Sequence, residues 1–197
     1  MSDIALALDN HPGVDPDDWF EIIEGVKTMA ASADFYHNTI GGNLFSEFNR
    51  YAKAHKIAIV YDVDVYLPDG NVFRPDFCVV CNPEAIGKDL KVHGVPDLCV
   101  EVLSPSTMQN DLGKKMELYA RNGVKEYWII DKTSKNIFTY MLDEGYYKLN
   151  AAYHSYTQAE SEALTEQERA EVKDKVQVGI FPDLLIEVDS IFYWWFD

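Results

Sequence analysis

Hydrophobic residues recur every three or four positions between about Asp34 and His55. Ile40, Leu44 and Phe48 are examples of this spacing. Because an α-helix has about 3.6 residues per turn, positions spaced in this way share one face. The pattern therefore predicts an amphipathic helix that packs this face against a core.

The next segment alternates between apolar and polar residues from Ile57 to Leu67. Alternation with a period of two is typical of a β-strand, so it predicts one long strand with Asp62 and Asp64 on the face opposite the apolar side chains. The pair Asp69–Gly70 then predicts a tight hairpin turn, because both residue types tolerate positive φ.

The returning strand is expected over residues 72–80 and contains Pro75. Proline has no N–H to donate, so this position implies an edge, a bulge or an interruption. Further on, residues 97–103 (DLCVEVL) form an apolar run that is typical of a strand buried on both faces. Glu101 lies inside this run, and a buried carboxylate is costly unless a charged group meets it.

The other patterns complete a single domain over residues 1–197 of the α/β (α+β) class. They predict a hairpin at 20–29 and a helix that starts near Ser106 or at Asp111, runs to Asn122 and ends at Gly123. They also predict strands at 126–131, 136–142, about 146–149 and about 184–188, and a polar helical insertion at 158–176. The aromatic tail at 191–196 (IFYWWF) fits either a dimer surface or ordinary core packing.

Charge narrows the functional classes. The chain carries 17 Lys and Arg against 33 Asp and Glu, a formal net charge of −16. Proteins that bind nucleic acid usually neutralise phosphates with cations, so any such site here has to be local, metal-assisted or completed by a partner. There is no apolar run of the ~18 residues that a membrane span needs and no signal-peptide pattern. With three cysteines, an odd number, these features predict a cytoplasmic protein with reduced thiols.

Asp76 and Glu101 are the strongest candidates for chemistry. They lie on two predicted strands, and two carboxylates on neighbouring strands can hold one Mg²⁺ or Mn²⁺, with the carbonyl of Val102 as a third oxygen. Such a metal polarises a phosphodiester and lowers the pKa of a bound water. The alternative is that Asp76 is a turn residue and that Glu101 pairs with a buried Lys or Arg.

Lys115 and Tyr119 follow Asp111 at four-residue intervals on the predicted helix, so the three would share one stripe. Lys115 either approaches Glu101, where it would orient a water or neutralise charge on a phosphate, or forms an ordinary surface ion pair. His37, on the first helix, either faces a substrate or is structural.

The pair Cys78 and Cys81, with His93 and Cys99 downstream, has one feature of a zinc site. However, a strand puts positions 78 and 81 on opposite faces. We therefore expect thiols that lie in the core or at a strand end.

The combination RPDFCVVCNPE, GVPDLCVEVLSPST and GKKMELYARNGVKEYW resembles the Uma-two family of restriction-endonuclease-like proteins, within the PD-(D/E)XK nuclease superfamily. The resemblance runs from about FEIIEG to FPDLLIEV. It implies a mixed β-sheet with flanking helices in an αβββαβ core, preceded by the N-terminal hairpin. It also implies that Asp76 and Glu101 are metal ligands and that Glu21 completes the acidic cluster.

One departure from the superfamily pattern affects the functional prediction. The lysine expected two residues after the second acid is replaced by Leu103, and the resemblance moves its role to the following helix, to Lys115 or, as the second choice, to Lys114. The resulting hypothesis is a Mg²⁺- or Mn²⁺-dependent endonuclease acting on nucleic acid, DNA in the first instance, with Tyr119 or His37 supporting the substrate. Such nucleases commonly act as homodimers. The alternative is a catalytically inactive binding or regulatory module with the nuclease fold.

Overall fold

The computed structural model describes residues 20–29 and 33–193. Its strands are β1 Phe20–Ile23, β2 Val26–Met29, β3 Ala58–Val60, β4 Val65–Tyr66, β5 Val72–Phe73, β6 Phe77–Val80, β7 Val92–His93, β8 Leu98–Val102, β9 Glu126–Asp131, β10 Asn136–Asp143, β11 Tyr146–His154, β12 Lys175–Gln177 and β13 Leu185–Glu187. Its helices are α1 Phe35–His55, α2 Met108–Asp111, α3 Lys114–Asn122, α4 Gln158–Ala163, α5 Glu166–Glu171 and α6 Val188–Ile191. The second half of the aromatic tail, from position 194 onward, lies outside the described residues.

The predicted αβββαβ core is confirmed. A six-stranded sheet has the order β11-β10-β9-β8-β6-β3, with β8 and β9 parallel and the other neighbours antiparallel. In chain order, α1, β3, β6, β8, α3 and β9 form the core. A smaller five-stranded sheet, β2-β1-β5-β4-β7, contains the N-terminal hairpin.

The large sheet is covered on both faces, as the apolar sequence of β8 indicates. On one face, Ile40, Leu44 and Phe48 of α1 pack with alternate residues of β8 and with the C-terminal segment. On the other face, Leu118 and Tyr119 of α3 pack with residues of the smaller sheet. Glu101 therefore lies on the sheet face that α3 covers.

The prediction of one long strand over Ile57–Leu67 is wrong. The segment forms β3 and β4, which belong to different sheets. Asp62 lies between them with φ of 55°, in the left-handed region that Asp tolerates better than most residues. The chain therefore changes direction, so Asp62 is exposed whereas Asp64 is buried, and the two do not share one strand face.

The returning segment also divides, as Pro75 indicated. β5 ends at Phe73 in the smaller sheet, and β6 begins at Phe77 in the large sheet. The predicted hairpin turn at Asp69–Gly70 is confirmed: the N–H of Gly70 donates to the carbonyl of Leu67, and Gly70 has φ of 87°. The interruption places Asp76 where the two sheets meet.

The single helix predicted from residue 106 to Asn122 is in fact two helices. α2 ends at Asp111, and α3 begins at Lys114 after Gly113, whose ψ of −95° is not helical. Gly123 ends α3 in the left-handed conformation, as expected. Asp111 and Lys115 are therefore brought together across a break between helices, not along one continuous helical stripe.

The predicted polar insertion at 158–176 forms α4 and α5, neither of which has a buried residue. Each begins with a capping box, at Thr157 and Thr165, which explains how such short helices are held without a core-facing stripe. The last two residues of the insertion, Lys175 and Val176, belong instead to β12, and Val176 is buried. The strand predicted at about 146–149 continues to His154 as β11. Within the described ranges, no helix is long and apolar enough to cross a membrane.

Candidate active site

Lys115, the second residue of α3, is buried among three carboxylates. Its Nζ lies 2.8 Å from Glu21 Oε1, 3.3 Å from Glu101 Oε1 and 3.4 Å from Asp111 Oδ1. The hydroxyl of Tyr119, one helical turn further along α3, donates to Glu101 Oε1 at 2.9 Å. The predicted approach of Lys115 to Glu101 is therefore present, and Lys115 is the buried cation that meets the carboxylate of β8.

Local sequence explains how these groups converge. Gly113 ends the first short helix and lets α3 start at a new angle; a Cβ there would lie 2.7 Å from the carbonyl oxygen of Gln109. Glu21 comes from β1, which pairs with β5 at Ile22–Val72 and so lies beside the chain leading to Asp76. Its Oε1 also accepts from the N–H of Arg74 at 3.2 Å.

Burial raises the pKa of Glu101 well above its ordinary value. Lys115 opposes this increase, whereas the charges of Asp111, Asp76 and Glu21 add to it. Burial alone would lower the pKa of Lys115, but attraction to Glu101, Glu21 and Asp111 outweighs burial and raises it. Lys115 is therefore held as a cation in the interior, surrounded by more negative groups than it can neutralise.

Asp76 is fixed from two sides at the junction of the sheets. Its Oδ2 accepts from the N–H of Val102 at 2.6 Å, and its Oδ1 lies 2.5 Å from His37 Nε2. The His37 contact is an ion-pair distance without hydrogen-bond geometry. The hydrogen bond from the N–H of Val102 links Asp76 to the end of β8, one residue beyond Glu101.

A cavity of about 190 Å³ opens to solvent above these groups. Glu21, His37, Asp76, Glu101 and Lys115 all line it. Five of the six predicted site residues thus border one cavity, while Tyr119 lies behind Glu101 and supports it.

Sequence reasoning missed several residues of this region. Asp111 is buried and bound to Lys115, although the sequence showed it only as a stripe neighbour. Arg74 and Lys91 both pair with Asp64, at 2.7 Å each. Arg74 lies two residues before Asp76 in the sequence. No local pattern links Arg74 to Asp64, because the alternation from Ile57 to Leu67 predicts one continuous strand.

The three cysteines lie in the core or directly after a strand end, as the sequence predicts. Cys78 and Cys99 are buried and face each other across β6 and β8, and all three thiols are free. Cys81 packs against the opposite apolar cluster. Burial raises the pKa of Cys81 to about 11, which describes an inert thiol.

The donor chemistry of the cavity fits a hard divalent cation. Among the described residues, no group of three or more His, Cys, Asp or Glu side chains is arranged to hold a metal ion by itself. Mg²⁺, however, is usually bound by one or two carboxylates together with waters and substrate oxygens. Continuing the β6–β8 register from Phe77–Val100 sets Val102 opposite Pro75, which has no N–H to donate to the Val102 carbonyl.

The fold resembles that of a solved structure described as a putative nuclease belonging to DUF820, from Anabaena variabilis ATCC 29413. The two chains superpose with a TM-score of 0.60 at 18% identity, over 88% of this chain and 89% of the other. The architecture is thus that of the nuclease-like α+β class.

A family model described as "Uma2: Putative restriction endonuclease" matches residues 6–170. The chain belongs to the Uma2 family. A relative from Synechocystis sp., "Uncharacterized protein slr1290", is 42% identical over 71 residues. That match covers 36% of this chain and 37% of the relative, so it spans little more than a third of the relative's length.

Proposed function

We propose that the protein is a divalent-metal-dependent nuclease that hydrolyses phosphodiester bonds in DNA. The observation that carries the proposal is the burial of Lys115 against Glu101 on the floor of a solvent-open cavity. Leu103, in the slot where the superfamily has its lysine, packs in an apolar cluster. Lys115 supplies from α3 the cation that the strand lacks.

Asp76 and Glu101, with the Val102 carbonyl, would hold the metal. When bound, Mg²⁺ or Mn²⁺ polarises the phosphodiester and lowers the pKa of a coordinated water. The excess of carboxylates over cations around the cavity favours a divalent ion there, since like charges repel in a partly desolvated site.

In this proposal Lys115 stabilises the negative charge that develops on the phosphate and orients the attacking water. Glu21 and Asp111 keep it charged and in place, and Tyr119 fixes the Glu101 oxygen that it approaches. A buried, preorganised cation costs little reorganisation during the reaction. Lys115 is thus the proposed catalytic cation, and Tyr119 is a positioning residue.

His37 positions Asp76 in this proposal. Its Nε2 contacts Asp76 Oδ1, while the N–H of Val102 holds Oδ2. A ligand carboxylate whose partner is removed samples other rotamers, which commonly costs 10- to 100-fold in metal affinity or activity. His37→Gln should therefore weaken metal binding by about that factor.

We also propose a homodimer in a reducing, cytoplasmic setting. The three free cysteines are consistent with such a compartment, and two copies would supply a cut on each strand of a duplex. Light scattering of the purified protein measures the mass directly, and a monomer at all concentrations tested would refute the dimer.

The decisive experiment pairs calorimetry with DNA cleavage. Mg²⁺ and Mn²⁺ are titrated into wild type, Glu101→Gln and Asp76→Asn, and the same proteins are incubated with supercoiled plasmid and with single-stranded circular DNA. We expect metal binding and nicking by wild type and loss of both in the two variants.

Two carboxylates outside the cavity provide matched controls. Glu126→Gln changes a buried glutamate on β9, and Asp97→Asn changes an aspartate that accepts from the N–H of Cys81 much as Asp76 accepts from Val102. Both controls should bind metal and cleave normally. Equal cleavage by wild type and Glu101→Gln would refute the proposed metal site, and absence of both metal binding and cleavage in wild type would favour a binding or regulatory module.

A further inference from the structure

The cavity offers little free positive charge to a polyanion. Within the described part of the chain, the Lys and Arg side chains that line it are Arg74, Lys115 and Lys132. Arg74 pairs with Asp64, and Lys132 pairs with Asp34. Lys115 is shared by three carboxylates. Each of these cations is therefore already neutralised by the protein, which leaves little to attract the dense charge of a DNA duplex.

An exposed aromatic side chain lines the same cavity. Tyr61 lines it with 51% of its surface exposed, and its ring packs edge-on against Phe45 at 5.6 Å. The chain turns sharply at Asp62, so no single strand continues through Tyr61 into β4. Tyr61 therefore stays beside the opening of the cavity. The Tyr61 ring is held by Phe45 along one edge, and about half of its surface is exposed to water. Such a ring is preorganised for contact with another flat apolar group.

Two further rings are exposed on the first turn of α1. Phe35 and Tyr36 are 63% and 50% exposed and pack edge to face. They lie in sequence between Asp34 and His37, both of which line the cavity. Neither ring lines the cavity, because the side of this helix that borders it is formed by Asp34, His37, Asn38 and Gly41.

Neutral hydrogen-bonding groups complete the lining. Ser104, Ser106, Thr107 and Asn110 border the cavity. The Ser104 hydroxyl lies 3.0 Å from that of Ser106 and 2.9 Å from that of Thr107. Hydroxyls of this kind contact phosphate and sugar oxygens without adding charge.

We infer that the cavity accepts an unpaired DNA strand whose bases stack on Tyr61. Bases in a duplex are stacked on each other, so their faces reach a protein ring only when the strand is single or locally opened. Base–aromatic stacking supplies affinity that does not depend on neutralising phosphates, which suits a chain with a net charge of −16. The inference rests on the proposed nuclease function for the identity of the substrate as a nucleic acid.

The test separates binding from cleavage. Fluorescence anisotropy in Mg²⁺ compares a short labelled single strand with a hairpin duplex of the same composition, using Glu101→Gln as the background so that the strand stays intact. Into this background are introduced Tyr61→Ala, Tyr61→Phe and the control Tyr146→Ala, which removes an even more exposed tyrosine from the start of β11. Thermal unfolding verifies that each variant is folded.

We expect the single strand to bind more tightly than the hairpin. Tyr61→Ala should weaken single-strand binding about five-fold or more, the lower end of a stacking contribution. Tyr61→Phe keeps the ring and should bind like the background, as should Tyr146→Ala. Phe35→Ala, which removes an exposed ring that does not line the cavity, should also bind like the background.

Tighter binding of the hairpin, equal effects of Tyr61→Ala and Tyr146→Ala, or no binding of either DNA would each overturn the inference. Cleavage by wild type distinguishes the two proposals. If the protein cuts duplex DNA and Tyr61→Ala has no effect, the nuclease function is supported and the stacking site is refuted. If the protein binds single strands through Tyr61 but does not cut them, the stacking site is supported and the nuclease function is refuted.

Discussion

Glu101 and Glu126 are buried glutamates on neighbouring parallel strands, and their surroundings differ completely. Glu126 is closed off from solvent, and its carboxylate accepts from Trp128 Nε1 at 2.7 Å and from the N–H groups of Gly179 and Ile180 at 3.0 and 2.9 Å. Glu101 borders a cavity and shares Lys115 with Glu21 and Asp111.

The difference shows that a buried carboxylate is not by itself a sign of function. Glu126 is satisfied by neutral donors and ties the segment after β12 to the sheet, so its role is structural. Gly179 permits this approach, because a Cβ there would lie 3.3 Å from the Glu126 carboxyl carbon and 2.4 Å from the Met141 sulfur. Glu101 is instead surrounded by like charges at an opening, an arrangement that costs stability and suits a cation or a reacting group.

The largest expected effect comes from removing the shared cation. Lys115→Met leaves Glu21, Glu101 and Asp111 without a buried partner, so the free energy of unfolding should fall by about 3–5 kcal/mol at neutral pH. Urea denaturation measures the loss. Lys125→Met, which removes an exposed partner of Asp97, is the control and should cost less than about 1 kcal/mol. Similar losses in both variants would show that the Lys115 cluster is not specially coupled.

The second expectation concerns activity rather than stability. Glu101→Gln keeps an oxygen for Tyr119 and Lys115 but removes one negative charge from a crowded group. Cleavage should fall by ~10²-fold or more, while the unfolding free energy should change by less than about 1 kcal/mol because repulsion is relieved. Plasmid cleavage rates and urea denaturation of the same preparation provide both numbers. A large loss of stability would mean that Glu101 is structural, like Glu126.

The reverse result is expected for Glu126→Gln. The amide nitrogen would replace one accepting oxygen, so one of the three donors loses its acceptor. That should cost about 1–3 kcal/mol of stability, measured in urea, with cleavage per folded molecule unchanged. Reduced cleavage after correction for the folded fraction would contradict the assignment of Glu126 to the fold alone.

The smallest effect is a pair of opposite pH dependences. Burial raises the pKa of Glu126 above its ordinary 4.5. Its stabilising contribution is therefore complete below 4.5 and declines as pH rises through the folded-state pKa. Burial alone would raise the pKa of Asp97, but hydrogen bonds from Lys125 and Cys81 outweigh it and lower the pKa below 3.8. The contribution of Asp97 is therefore complete above 3.8 and declines as pH falls through its folded-state pKa.

Urea denaturation at a series of pH values tests both directions. The stability difference between wild type and Glu126→Gln should shrink as pH rises above 4.5, and the difference between wild type and Asp97→Asn should shrink as pH falls below 3.8. Slopes of the same sign in the two comparisons would show that one of the two environments has been misassigned.

Residue patterns were informative where the structure is locally periodic. Three features follow from interactions within a few residues and can therefore be predicted from the sequence: the apolar spacing on α1, the buried run of β8 and the glycine at the end of α3. The acid pair Asp76 and Glu101 was also identifiable, because a buried carboxylate and an acid beside a strand-breaking proline are unusual in their contexts.

Tertiary structure decided the rest. Asp62 turns one apparent strand into two strands of different sheets, and Gly113 turns one apparent helix into two. Lys115 meets Glu21 and Glu101 because the N-terminal hairpin, β8 and α3 converge on one side of the large sheet. The sequence by itself determined which groups were available for chemistry and which segments were helix or strand. Only the folded chain determined that three carboxylates share one buried lysine at an open cavity, because such long-range contacts depend on sheet order and not on local periodicity.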